Sequence, residues 1–275
     1  MPSAKRRAVE RAGKALAPPS VFVALAALLS FAALASAPAA IAETVRAAVA
    51  TNFNEPVARI AAAFMDKTGH EVVVSTGATG ALYAQIKAGA PFDVFLSADS
   101  ERPAAMENDG VAVRGTRFTY AVGILALWSA DPARITGEGK AALEAADIRA
   151  VAIADPVLAP YGHAAKQTLE KLGLWGAVEG KLVFGKNIGQ THALVATGNA
   201  EIGFVALSAL KRPGSPEQAA GSTWQVPEGL HDPIRQDAVL LAPAETNAAA
   251  RAFLEFLKSP EAREVIAAHG YGGGD

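Results

Sequence analysis

From residue 45 onward, apolar and polar positions alternate between two rhythms. Short β-branched or alanine-rich runs, "VRAAVA" (45–50), "EVVVST" (71–76) and "DVFLSA" (93–98), predict strands. Between them, Val57, Ile60, Ala61 and Phe64 recur at i, i+3, i+4 and i+7, which predicts a helix with one buried face, closed by Gly69. Helices are also predicted from about Thr79 to Ala88, with Leu82 and Ile86 inward, and across Arg102–Asn108. A β-α-β-α-β-α order implies a parallel sheet with right-handed crossovers. "FTYAVGILALWSA" (118–130) is too long for one ordinary strand and is expected to run between two lobes. A second series follows: strands "VAIAD" (151–155), "KLVFG" (181–185) and "EIGFVAL" (201–207), with a helix marked by Ala165, Leu169 and Leu172 and another from about Gly189 to Thr197. "PGSPEQAAGS" (213–222) reads as a loop and "DAVLLA" (237–242) as a strand. Two helices close the chain, and the tail "GYGGGD" reads as disordered.

The expected fold class is therefore α/β. Two lobes, each with a central mixed, mostly parallel sheet flanked by helices, enclose a ligand cleft. Lobe I takes 43–122 plus 233–275, and lobe II takes 123–232. In open α/β sheets ligands sit beyond the carboxyl ends of the strands.

The first 42 residues have a different pattern. Lys5, Arg6, Arg7, Arg11 and Lys14 precede an uncharged stretch centred on "VFVALAALLSFAALA", which ends in "AIA" before Glu43. This predicts an export signal cleaved after residue 42, with "ASA" at 35–37 as the competing point and a membrane anchor as the alternative. Removing it takes away five basic residues and one acid. The remaining 233 residues carry 20 Lys and Arg against 26 Asp and Glu, a net charge of −6. That sign argues against nucleic acid or an anionic membrane as partner. There is no Cys, so thiol chemistry, disulfides and cysteine metal sites are excluded.

Four turns between a strand and the next helix share one character: "ATNFN" (50–54), "STGATGA" (75–81), "DPVLAPYG" (155–162) and "GKNIGQT" (185–191). Three are nearly free of charge, and the fourth has only Lys186 near it. All offer hydroxyls, amides or unhindered backbone N–H groups. A helix start carries about half a positive charge and unpaired N–H groups, so it favours an anion without any cationic side chain. Thr51 and Asn52 are thus candidates to hold an oxyanion. A structural reading stands beside this one. Asn52 with Glu55 fits a capping box, Thr79 a plain N-cap, and Tyr161 an aromatic lid.

The order of these motifs resembles the periplasmic molybdate-binding proteins of ABC transporters. The resemblance spans nearly the whole chain after the leader, and its most specific pieces are "AAVATNF" (47–53), "QIKAGAPFDVFLSAD" (85–99), "IADPVLAPYGHAAKQTLEKLGLW" (153–175) and "EIGFV" (201–205). It implies the two-lobed periplasmic-binding-protein-like fold closing on molybdate or tungstate, with no further cofactor and no direct metal-cation ligand. It also implies periplasmic location, a monomer, and delivery to the membrane permease of an ABC importer. By position, the family's oxyanion contacts fall on Thr51, Asn52, Thr79, Tyr161 and the backbone N–H of Ile188. Many members of the family have serine where Asn52 stands, and serine is usual where Thr79 stands. Many members have a tyrosine in the strand that here carries Ala206, and Tyr161 is expected to supply that hydroxyl from the third turn. A subgroup with Thr-Asn in the first turn and Tyr in the third is similar.

On chemistry alone, sulfate remains a rival ligand. Protonated phosphate is disfavoured, because no carboxylate lies at the centre of the four turns. An enzyme is the rival class, but there is no G-x-S-x-G and no H-E-x-x-H. His163 and His192 each follow a candidate ligand turn, which leaves a hydrolase or metal role as the minor alternative. A sensor partner of a membrane receptor is the third reading.

Overall fold

The computed structural model describes residues 42–211, 213 and 220–273. The expected leader, apart from Ala42, lies outside the described residues, as do 214–219 of the expected loop and the last two residues of the tail.

In chain order the first half of the fold runs β1 (Thr44–Ala50), α1 (Asn54–Thr68), β2 (Glu71–Gly77), α2 (Thr79–Lys87), β3 (Val94–Leu96), α3 (Glu101–Asn108) and β4 (Phe118–Gly123). There follow β5 (Leu125–Ser129), α4 (Gly139–Glu144), β6 (Val151–Ala154), α5 (Pro160–Lys171), α6 (Trp175–Val178), β7 (Leu182–Gly185), α7 (Ile188–Ala196), β8 (Ile202–Ala206) and β9 (Ser222–Gln225). The chain ends with β10 (Ile234–Leu240), α8 (Ala248–Leu257) and α9 (Pro260–Ala268).

The strands form two five-stranded sheets, ordered β2-β1-β3-β10-β4 and β7-β6-β8-β5-β9. Each is evenly mixed. β1–β2 and β1–β3 are parallel while β10 runs antiparallel to β3 and β4; β6–β7 and β6–β8 are parallel while β5 runs antiparallel to β8 and β9. The long apolar run 118–130 breaks at Ile124, with β4 in one sheet and β5 in the other. The chain returns between β9 and β10.

The helical periodicity of α1 buries Val57, Ile60 and Phe64 against the first sheet, and Gly69 at φ 74° closes the helix in the left-handed region. Each such side chain contributes about 1.5–3 kcal/mol by leaving water. Helices α8 and α9 cover the same face through Phe253, Leu257 and Ile266. The opposite face packs Leu82, Ile86 and Met106 against Phe95 and Val239. Register then sets the level of the turns. Ala50 is paired with Gly77, and Ala154 with Gly185, so the four polar turns leave their sheets in two side-by-side pairs.

Three local expectations change. Ser222, the last residue of the expected loop, instead opens edge strand β9 (Ser222–Gln225), which was not expected. The strand expected at 237–242 begins earlier, at Ile234, and carries Gln236 and Asp237 into the interior. The tail is not free at its start: Tyr271 is buried, and Gly272 bridges Val122. Its aromatic ring packs edge-on against Phe53, with centroids 5.5 Å apart, and this burial outweighs the glycines around it.

Candidate functional site

At the strand ends a small cavity is lined by Ala50, Thr51, Asn52, Gly77, Ala78, Thr79, Ala98, Ala159, Pro160, Tyr161, Asn187 and Ile188. The lining draws on all four polar turns and contains no charged side chain. Thr51, Asn52, Thr79, Tyr161 and Ile188 all meet there. Small residues make the approach possible: Ala50 of the first sheet and Ala98 just past β3 share one apolar cluster with Ala159, Tyr161 and Ile188 from beside the second. Two wider clefts flank the cavity, one sharing Ala98, Ala159 and Pro160 with it, the other Thr51, Asn52 and Ile188.

Helix starts supply the electrostatics. Helix α2 begins after Ala78, α5 after Ala159, and the 3-10 turn Thr51–Phe53 that leads into α1 begins after Ala50. None of these three has a side-chain cap, so their first N–H groups are left without an intrahelical acceptor. Helix α7 is capped by Asn187, whose side chain accepts from the Gln190 N–H at 2.9 Å, while Ile188 occupies the first helical position. Thr79 is inside its helix rather than at the cap, and Asn52 caps nothing.

The side chains differ in what they still offer. Thr51 Oγ1 is buried with no hydrogen-bond partner among the described residues. A buried orphan of this kind is rare and points to an absent partner. Thr79 Oγ1 accepts from the Ala98 N–H at 3.1 Å, which leaves its own proton to give. Asn52 donates through Nδ2 to Gln236 Oε1 at 2.8 Å and to the Tyr271 hydroxyl at 3.1 Å, so both side-chain protons are committed. Its contribution to an anion is then its backbone N–H in the first turn. The Tyr161 hydroxyl accepts from Gln236 Nε2 at 3.2 Å. Burial, then the Tyr271 phenol, pushes the Tyr161 pKa well above the ordinary tyrosine value, so it remains a neutral phenol.

The ring of Tyr161 needs Gly123. A β-carbon at that position would run into the Tyr161 hydroxyl and lie 2.6 Å from Gln236 Nε2. Gly189 serves the first turn similarly, since a β-carbon there would strike Thr51 Cγ2. Around the cavity, the Gly80 N–H donates to the Leu158 carbonyl at 2.9 Å and Arg102 Nη2 to the Val157 carbonyl at 2.9 Å. Arg102 also pairs with Asp99, so its charge is answered before it could reach the cavity.

Sequence reasoning missed Gln236, Tyr271, Tyr120 and Ser208. Ser208 Oγ and the Tyr271 hydroxyl both donate to the Asn52 carbonyl, at 3.1 and 2.6 Å. The available signal was a glutamine inside the apolar run "IRQDAVLL". Ala206 is fully buried and lies in one flanking cleft, outside the cavity lining. His163 and His192 fall in different clefts, and His192 stacks on Trp128 with ring centroids 4.8 Å apart. Among the described residues no group of three or more His, Asp or Glu is placed to hold a metal ion.

Residues 45–272 match the family described as bacterial extracellular solute-binding protein. The molybdate-binding protein ModA of Rhodobacter capsulatus is 52% identical over 234 residues, 85% of this chain and 90% of the relative. ModA of Azotobacter vinelandii is 51% identical over 234 residues, 85% of this chain and 92% of the relative. The solved Azotobacter vinelandii periplasmic molybdate-binding protein is similar with a TM-score of 0.79 at 40% identity, over 83% of this chain and 98% of that one.

Proposed function

Because the chain belongs to the bacterial extracellular solute-binding proteins, and within them to the molybdate-binding ModA proteins, we propose that it captures molybdate or tungstate and delivers it to the membrane permease of an ABC importer. The observation that carries this reading is the cavity where four helix starts converge with no charged side chain in the lining. A tetrahedral dianion accepts hydrogen bonds on every oxygen and gives none. The groups with protons to spare match it: the hydroxyls of Thr51, Thr79 and Tyr161, and the N–H groups of Asn52 and Ile188. Hydrogen bonds to an ionised group contribute roughly 1.5–3 kcal/mol each, so a handful holds the anion without a fixed cation.

We read residues 43–122 plus 233–275 as one lobe and 123–232 as the other, closing on the anion as a monomer with no nucleic-acid partner. The chain is a carrier rather than an enzyme, since the cavity offers neither a carboxylate nor a histidine to move a proton. Residues 1–42 act as a cleaved export signal, and the working compartment is the periplasm.

Thermal unfolding of residues 43–275 with each anion tests the reading. Molybdate and tungstate bind the folded state and raise its stability by about 2.7 kcal/mol at a hundredfold excess over the dissociation constant. Sulfate, being smaller, leaves the same hydrogen bonds long and gives far less. Equal shifts with sulfate and molybdate overturn the choice of ligand.

A further inference from the structure

Gln236 lies at the centre of the polar network and is fully buried on β10. Regular pairing of β10 with β4 slips there: Gln236 is opposite Ala121 and Asp237 opposite Thr119, which leaves Tyr120 as the extra residue. The slip brings the Tyr120 hydroxyl within 3.1 Å of Gln236 Oε1 and 3.0 Å of the Ser97 carbonyl.

The proton positions follow from one fixed end. The Asn52 carbonyl can only accept, and the Tyr271 hydroxyl lies nearer to it, at 2.6 Å, than to Ser208 Oγ, at 3.0 Å; whichever of the two takes the Tyr271 proton, the phenol is a donor on that side. The Tyr271 oxygen is then an acceptor for Asn52, which orients the NH2 end of the Asn52 side chain toward both Tyr271 and Gln236. Gln236 must answer with its carbonyl oxygen. Its NH2 end is thereby turned to Tyr161, whose oxygen accepts at 3.2 Å. With that lone pair engaged, the Tyr161 proton is left for the cavity.

We propose that Gln236 is the positioning residue that fixes Tyr161 as a donor toward the oxyanion, through a hydrogen-bond chain anchored at the Asn52 carbonyl. This rests on the molybdate reading above and adds the residue that sets the polarity of its site. An amide suits the role because it accepts at one end and donates at the other. A carboxylate in its place would accept at both ends. It would draw the Tyr161 proton away from the cavity and turn an oxygen lone pair toward the anion.

The titratable groups facing Gln236 are the phenols of Tyr120, Tyr161 and Tyr271, and burial raises the pKa of all three. The nearest carboxylates, Asp237 and Asp99, are paired with Arg117 and Arg102. A carboxyl introduced by Gln236→Glu is therefore the group that titrates within the network between pH 5 and 8.5.

Calorimetric titration of residues 43–275 with molybdate across that range tests the proposal. The parent affinity is expected to be flat. Gln236→Glu is expected to lose at least tenfold at pH 8 and to recover as pH falls, and the Tyr161→Phe background should reduce that slope by half or more. A flat curve for Gln236→Glu overturns the proposal, as does an equal slope with and without the Tyr161 hydroxyl, which would be charge repulsion alone. If Gln236→Glu does not fold, Gln236→Met replaces it in the cycle with Tyr161→Phe. Losses that overlap support the chain, and losses that add overturn it. A folded parent that binds no molybdate overturns the functional reading instead, before any variant is compared.

Discussion

Two fully buried polar residues stand next to each other on β10 and meet opposite surroundings. Among the described residues, the Gln236 side chain hydrogen-bonds to neutral groups alone: Asn52, Tyr120 and Tyr161. Asp237 accepts from Thr119 at 2.8 Å and from the Arg117 guanidinium at 2.5 Å, and Arg117 also reaches Glu107. That hydrogen bond to Asp237 holds the Arg117 pKa above its already high value, against the effect of burial. The difference separates two uses of polarity. A charge that stays in the fold is given a permanent partner, because an unpaired buried charge is costly. The region proposed to receive its charge from outside has no charged side chain among the described lining residues. A fixed cation there would be desolvated and unanswered whenever the site was empty, and it would not distinguish among anions. Oriented neutral donors avoid both costs.

Separating the two halves of this contrast is possible by mutation. The largest effect is expected from Arg117→Ala, which leaves the Asp237 carboxylate buried with Thr119. Breaking such a pair costs about 3–5 kcal/mol, and the partial exposure of Arg117 places the loss at about 3. Urea denaturation measures it. Molybdate affinity of the folded variant should stay within twofold, and a larger change would show that the charged cluster feeds the cavity. Tyr161→Phe comes next. It should weaken molybdate binding about ten- to a hundredfold, equivalent to roughly 1.5–3 kcal/mol. It also costs the fold about 1 kcal/mol, because Gln236 Nε2 loses its acceptor. Calorimetry and urea denaturation read the two losses separately, and affinity equal to the parent's would reduce Tyr161 to packing.

The smallest effect lies far from the cavity, at Glu201. Its carboxylate accepts from the Ala150 N–H at 2.9 Å and from the exposed Arg149 side chain. Burial alone would raise its pKa, but the Ala150 N–H and Arg149 outweigh that and hold it at about 2. Because the folded value lies below the ordinary 4.5, the ionised group stabilises the fold fully above pH 4.5 and loses that contribution as pH falls toward 2. Glu201→Gln should be less stable than the parent at pH 7 by about 1 kcal/mol, allowing for solvent around Arg149. The gap should close across that window in acid unfolding curves. A gap that persists at pH 2 would place the contribution in packing rather than charge.

The sequence displayed the frame of the fold better than its connections. Repeated apolar spacing exposed α1 and the parallel strands, because a buried face must recur at a fixed period. The same logic concealed the start of β10, where Gln236 and Asp237 interrupt the apolar run for reasons that lie in other elements. Tyr271 escaped notice among glycines, since a local reading cannot see a ring inserted against Phe53 from more than two hundred residues away. Local rules pointed to the four turns that line the cavity but assigned two of their residues to caps they do not form. Asn52 and Thr79 have the composition of helix caps, yet the caps of their helices are Phe53 and Ala78. Capping and ligand binding draw on the same oxygen and N–H groups, and only tertiary neighbours decide which is served. Resemblance to a family supplied the five residues together, whereas Gln236 belongs to the wiring behind them, where no single local pattern is required.

The contacts over the cavity bear on time as much as on affinity. The Gly80–Leu158 hydrogen bond and the close pass of Gly189 at Thr51 tie the turns of the first sheet to those of the second beside the cavity. For an anion held in the proposed site, release would require these ties to part, and the opening frequency, rather than the breaking of any one bond to the anion, would set its clock. On the proposed reading, substitutions that loosen Gly80 from Leu158 would shorten residence without altering which anion is chosen, and a permease that spreads the walls would act as a catalyst of unloading.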